Sequence, residues 1–126
     1  MKLSGNTMLI TGGTSGIGRA LAEIFHARGN QVIISGRRQA LLGEVTAAHP
    51  GMQSAVLDIG DAQAIRTVAE QVRRDFPALN AVIHNAGIQR FERLKEGRLD
   101  DAEATIATNL LGPIRLNAAL LPHLLG

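Results

Sequence analysis

Cysteine, tryptophan and tyrosine are absent from the 126 residues, and phenylalanine occurs three times. Without cysteine there is no disulfide and no thiolate metal site, although compartment is left open. The net charge is only +2. No run of like charge and no basic-aromatic interleaving accompanies it, which disfavours a nucleic-acid reader. Long apolar runs are missing too. The most apolar stretch, IATNLLGPIRLNAALLPHLLG (106–126), is broken by Asn109, Arg115, Asn117 and His123 and does not read as membrane-spanning. At the other end, MKLSGNTMLI meets Gly5 and Asn6 before an apolar core forms, so it does not read as a secretory leader. The four histidines, at 26, 49, 84 and 123, share no ligand-like spacing, and no metal is expected. The expectation is a cytoplasmic protein with one modest domain over residues 1–126.

What is present is alternation. MLI (8–10), QVIIS (31–35), SAVLD (54–58) and NAVIHN (80–85) are short, rich in Val and Ile, and read as buried strands. Between them lie helical patterns. In 17–28 the apolar stripe is Ile17, Ala20, Leu21, Ile24 and Phe25, with Gly29 placed as a C-terminal cap. A shorter helix is expected over 38–48, ended by HPG. Over 61–75, Asp61 caps and Ile65, Val68, Ala69 and Val72 form the stripe. A long helix is expected over 99–122. Repeated strand–helix alternation predicts an α/β fold with parallel strands and right-handed crossovers, a Rossmann-like doubly wound sheet ending after the fourth strand and its following helix.

The stretch ITGGTSGIGRALAEIF (10–25) places four glycines between the first strand and the first helix. That loop lies at the carboxyl edge of the sheet, where such folds bind ligands. Glycine lets the backbone turn tightly and approach a ligand without a Cβ in between. Unpaired N–H groups at the start of the helix, near Ile17, suit a pyrophosphate. Gly13 to Gly18 also has the spacing of a nucleotide-triphosphate loop. Arg19 and Ala20 follow, however, in place of Lys and Ser or Thr, and that reading fails.

TGGTSGIG (Thr11–Gly18) resembles the T-G-x-x-x-G-I-G motif of short-chain dehydrogenases/reductases. LDIGD (57–61) is similar to that family's aspartate after the third strand. NAG (Asn85, Ala86, Gly87) is similar to its mark after the fourth, and NLLGP to the asparagine of its next helix, at Asn109. The resemblance covers the whole chain. It implies a dinucleotide held by Gly12, Thr14, Ser15, Gly16, Ile17 and Gly18, with Asp58 and Ile59 at the adenine and Asn85, Ala86 and Gly87 beside the ribose. Thr11 and Thr14 are expected to hydrogen-bond within the loop. The alternative for Asp58 is a turn or capping aspartate. The family often has asparagine where this chain has His84, and a histidine there reads as a hydrogen-bonded core residue rather than a catalytic one.

NAD-preferring relatives end the second strand with an acid, and this chain has Gly36 there, followed by Arg37 and Arg38. A carboxylate would repel a 2′-phosphate, whereas Arg37 offers it a fork-shaped, charge-assisted contact and Arg38 adds a second or stacks on the adenine. NADP(H) is favoured over NAD(H). Against this, the basic residue that many NADP-preferring relatives carry before the second glycine is Ser15 here. The alternative is two exposed arginines capping the next helix.

The family's reaction passes hydride between nicotinamide and a carbonyl or alcohol carbon, using a tyrosine, a lysine four residues later, and a serine. The tyrosine must ionise well below its ordinary value near 10, which requires the cation beside it. Here the last serine is Ser54 and the last lysine Lys95, both ahead of the family positions. The expectation is an N-terminal portion of a longer short-chain dehydrogenase/reductase, its catalytic C-terminal part absent. Asn109 is the one catalytic element carried over. Pro113 has no N–H to bond its carbonyl, which is thereby released for a relay water; the alternative is a kink made for packing. In the family this helix packs on a partner subunit, so a homo-oligomer is expected. The competing readings are a non-catalytic dinucleotide-binding module and a self-associating structural fragment.

Overall fold

The computed structural model describes residues 4–14, 16–85 and 111–125. Four strands, β1 (Thr7–Thr11), β2 (Gln31–Gly36), β3 (Gln53–Val56) and β4 (Ala81–Ile83), form one sheet in the order β3-β2-β1-β4. Every pairing is parallel. The described helices are α1 (Gly16–Ala27), α2 (Gln39–Ala48), α3 (Ala62–Asp75) and α4 (Gly112–Leu125). The chain crosses from β3 at one edge to β4 beyond β1, so the order reverses between β1 and β4. A crevice at their carboxyl ends is where such sheets take ligands.

Met8, Leu9 and Ile10 of β1 and Val32, Ile33 and Ile34 of β2 are fully buried, because helices cover both faces. Alternation along the strands divides the core in two. Met8, Ile10, Val32 and Ile34 pack with Ala22, Leu42 and Val45 beneath α1 and α2. Leu9, Ile33 and Ala55 pack with Ile65, Val68, Val72, Leu116 and Leu120 beneath α3 and α4. In α3 the stripe Ile65, Val68, Ala69 and Val72 is buried as its spacing implies. Asp61 caps that helix, its Oδ1 accepting from the N–H groups of Gln63 at 3.0 Å and Ala64 at 3.2 Å. Gly29 has φ +85°, the left-handed turn that closes α1.

Helix α1 departs from its sequence stripe. Ile17 and Ile24 are 74% and 52% exposed, and the buried line is Gly18 and Ala22, flanked by Leu21 and Phe25. A Cβ on Gly18 would collide with the carbonyl oxygen of Gly12 and with Nδ2 of Asn85. Close approach of the backbone, not the count of apolar side chains, therefore sets which face of α1 turns inward.

Two strands are shorter than their apolar runs. β3 ends at Val56, since Asp58 turns the chain by accepting from Gly60 N–H at 2.9 Å. β4 ends at Ile83, because His84 and Asn85 leave the ladder for side-chain bonds described below. At the amino edge three asparagines stitch the strands. Oδ1 of Asn30 accepts from both the backbone N–H and the side-chain Nδ2 of Asn6, each at 3.0 Å. Asn80 donates from Nδ2 to Asn6 Oδ1 at 3.1 Å and accepts from Thr7 N–H at 3.0 Å. Asn6 and Asn30 are both buried.

The expected helix over 99–122 is represented in the described residues by α4, which continues through Pro122 to Leu125. Its buried residues Leu116 and Leu120 face α3, while Leu111, Ile114 and Leu121 stay exposed. The earlier part of that expectation lies outside the described residues.

Candidate dinucleotide site

The site begins where β1 ends. Gly12 has φ +68° and Gly16 φ +58°, conformations that favour glycine. The four glycines divide their work. A Cβ on Gly13 would stand 2.5 Å from Cγ2 of Ile34, so Gly13 is there to let the loop lie on β2. Gly18 serves the same end against Gly12 and Asn85. Gly16 differs: a Cβ there would meet nothing within 4 Å among the described residues, so its backbone faces open space there.

The amides divide likewise. Ser35 carbonyl accepts from Gly12 N–H at 2.9 Å and Gly13 N–H at 3.2 Å, which turns those donors back toward β2. The first-turn N–H groups of α1, beginning at Gly16, have no intrahelical acceptor and carry the positive end of the helix dipole. Ser15 lies outside the described residues.

Thr11 is engaged at the end of β4. Its Oγ1 accepts from Asn85 N–H at 3.0 Å and donates to Ile83 carbonyl at 3.5 Å. As the last residue of β1, it lies beside the end of β4, where these two partners are. Asn85 also donates from Nδ2 to Gly12 carbonyl at 3.2 Å. Asn85 thus ties the end of β4 to the end of β1 and to the start of the glycine loop. Ala86, Gly87 and Asn109 lie outside the described residues.

At the end of β2, a Cβ on Gly36 would sit 3.4 Å from Cγ2 of Thr14 and 3.6 Å from Cδ2 of Leu42. Position 36 therefore adjoins the glycine loop, and its lack of a side chain leaves that border uncharged. Arg37 and Arg38 follow, both exposed and neither in an ion pair among the described residues. Arg38 occupies the N-cap position of α2 but makes no side-chain cap bond, as arginine has no acceptor to offer. At the end of β3, Asp58 is exposed with Oδ1 engaged by Gly60, and the Ile59 side chain is buried in the core.

The expectation of a hydrogen-bonded core residue at His84 is corrected in its burial only. The residue is exposed, and its Nε2 lies 2.7 Å from Oδ1 of Asn117 on α4. Its strand ends at Ile83, and the side chain meets α4 at the surface rather than in the core. His26 and His49, distant in sequence, meet edge-on with ring centroids 5.6 Å apart, and His49 Nε2 lies 3.0 Å from Glu23 Oε2. This contact ties the end of α2 to α1. Among the described residues no group of three or more His, Cys, Asp or Glu is arranged to hold a metal ion, and no helix is long and apolar enough to cross a membrane.

The order β3-β2-β1-β4, the glycine turn after β1 and the Asn85 tie are the arrangement of a Rossmann-like nucleotide site. The family model for short chain dehydrogenase matches residues 6–126. This chain belongs to the short-chain dehydrogenase family. Among curated relatives, an uncharacterized oxidoreductase, DltE, from Bacillus subtilis is 37% identical over 99% of this chain and 50% of its own length. The 3-oxoacyl-[acyl-carrier-protein] reductase FabG of Escherichia coli is 33% identical over 96% of this chain and 50% of its own. The solved L-sorbose reductase of Gluconobacter frateurii, complexed with NADPH and L-sorbose, superposes with a TM-score of 0.88 at 26% identity, covering 98% of this chain and 49% of that one. The chain spans about half the length of these short-chain dehydrogenases. Membership carries a nicotinamide dinucleotide as the family's cofactor and oxidoreduction as its class of chemistry.

Proposed function

We propose that residues 1–126 form the NADP(H)-binding portion of a short-chain oxidoreductase acting on a small carbonyl or alcohol substrate. The observation that carries the cofactor preference is Gly36. It borders the glycine loop through Thr14, offers no carboxylate to repel a 2′-phosphate, and is followed by two exposed arginines without ion-pair partners among the described residues. The open space beside Gly16 among the described residues suits a pyrophosphate.

In this reading Gly12 shapes the turn. Thr14, Ser15, Gly16, Ile17 and Gly18 present the helix start to the pyrophosphate. Arg37 forks onto the 2′-phosphate and Arg38 supports it. Asp58 accepts from the adenine amine while Ile59 contributes backbone. Asn85, Ala86 and Gly87 line the ribose. The bound dinucleotide supplies the hydride acceptor or donor. Asn109 holds a relay water near the substrate, and the tyrosine that such a relay serves is not among these 126 residues. The outer face of α4, with Ile114 54% and Leu121 47% exposed, packs on a second copy of the protein.

Titration with NADPH and NADH tests the reading. Binding of NADPH at least tenfold tighter than NADH supports it. Equal affinity removes the phosphate assignment, and binding of neither removes the cofactor role for this chain.

A further inference from the structure

Along β4, side chains alternate between the two halves of the core. Ala81 and Ile83 pack on the α1 and α2 side, and Val82 on the α3 and α4 side. His84 and Asn85 continue that alternation past the end of the ladder. Asn85 reaches Thr11 and Gly12 of the glycine loop, and His84 reaches Asn117 of α4. Two adjacent residues thus hold the end of β4 from opposite faces of the sheet. One contact is to the nucleotide loop and the other to the helix that runs across the far side.

We propose that His84 is a positioning residue of the dinucleotide site, acting through Asn117 to fix the end of β4 so that Asn85 stays aligned with Thr11 and Gly12. The inference rests on the cofactor reading above and deepens it. In its Nε2-protonated tautomer His84 donates to Oδ1 of Asn117. An exposed bond of this kind adds little to global stability. It does remove freedom from a segment that has already left the ladder, where no strand pairing holds it. Asparagine at position 84 would stop one bond short of Nε2 and lose Asn117, whereas glutamine has an Nε2 at the same bond count from Cβ. The histidine therefore does here what the shorter residue does not: it couples the strand end to α4.

The test compares amide hydrogen exchange and NADPH affinity in the unaltered chain, His84→Ala and His84→Gln. In His84→Ala the Asn85 amide should exchange three- to tenfold faster, with the buried Leu9 and Ile33 amides unchanged, and NADPH should bind three- to tenfold more weakly. His84→Gln should restore both. Unchanged Asn85 exchange in His84→Ala, or acceleration shared equally by Leu9 and Ile33, overturns the proposal while leaving NADPH binding by the unaltered chain intact. No NADPH binding by the unaltered chain overturns the cofactor reading and this proposal with it.

Discussion

Nδ2 of Asn85 donates to the carbonyl of Gly12 across 3.2 Å, although the two residues lie 73 positions apart in the chain. A Cβ on Gly18 would intrude on both of these groups. Gly18→Ala should therefore cost about 1–3 kcal/mol by overpacking and weaken nucleotide binding through displacement of the loop. Gly43→Ala is the control. It lies inside α2 with nothing within 4 Å of the added Cβ, and should raise stability by about 0.5–1 kcal/mol. Thermal or urea unfolding of the two variants should move in opposite directions.

Cofactor choice should turn on two neighbouring positions. Arg37→Asp should weaken NADPH by at least tenfold and NADH much less, because only the former loses a charge-assisted partner and gains a repelling one. Gly36→Asp should act in the same sense. An added Cβ there meets only ordinary contacts at 3.4 and 3.6 Å, so the fold tolerates it. Parallel titrations of both dinucleotides check this; equal losses would refute it.

Truncating Asp61 to alanine should cost about 0.5–2 kcal/mol. Its carboxylate satisfies two otherwise unpaired donors at the start of α3. Chemical denaturation reads the loss directly, and a neutral result would mean water replaces the cap fully.

The outer face of α4 should drive self-association. Leu121→Glu introduces a charge onto the exposed apolar face and should shift the chain toward monomer in sedimentation at tens of micromolar. A monomeric unaltered chain under those conditions contradicts the assignment of this face.

Much of this was legible in advance. The continuous apolar runs at 8–10 and 31–35 are what strands buried on both sides look like, and Asp61 and Gly29 announce a helix start and a helix end. The glycine loop was legible as a place of close approach. Its internal division was not, because spacing does not say whether a missing Cβ borders open space, as at Gly16, or makes room for the protein itself, as at Gly13 and Gly18. Helix α1 misled for the same reason. Ile17, Ala20 and Ile24 look like a core stripe, yet Gly18 has the tighter claim on the interior. His84 was read as core because strands with apolar neighbours continue the expectation of burial, while its partner Asn117 is 33 positions away and invisible to periodicity.

The asparagine triad was missed as well, since isolated asparagines before strands look like turn residues. Replacing Asn30 with alanine removes the shared acceptor of two donors on buried Asn6 and should cost about 0.5–1.5 kcal/mol per hydrogen bond lost. Differential scanning calorimetry would register that as a lower melting temperature.

That triad also separates two jobs along the length of the strands. With β1, β2 and β4 anchored by amides at the rim opposite the nucleotide loop, strand alignment does not depend on the residues that meet the ligand. Changes at Gly36, Arg37 or His84 can then be read as effects on recognition rather than as disguised unfolding. The working rim is free to diversify while the opposite rim keeps the sheet in register.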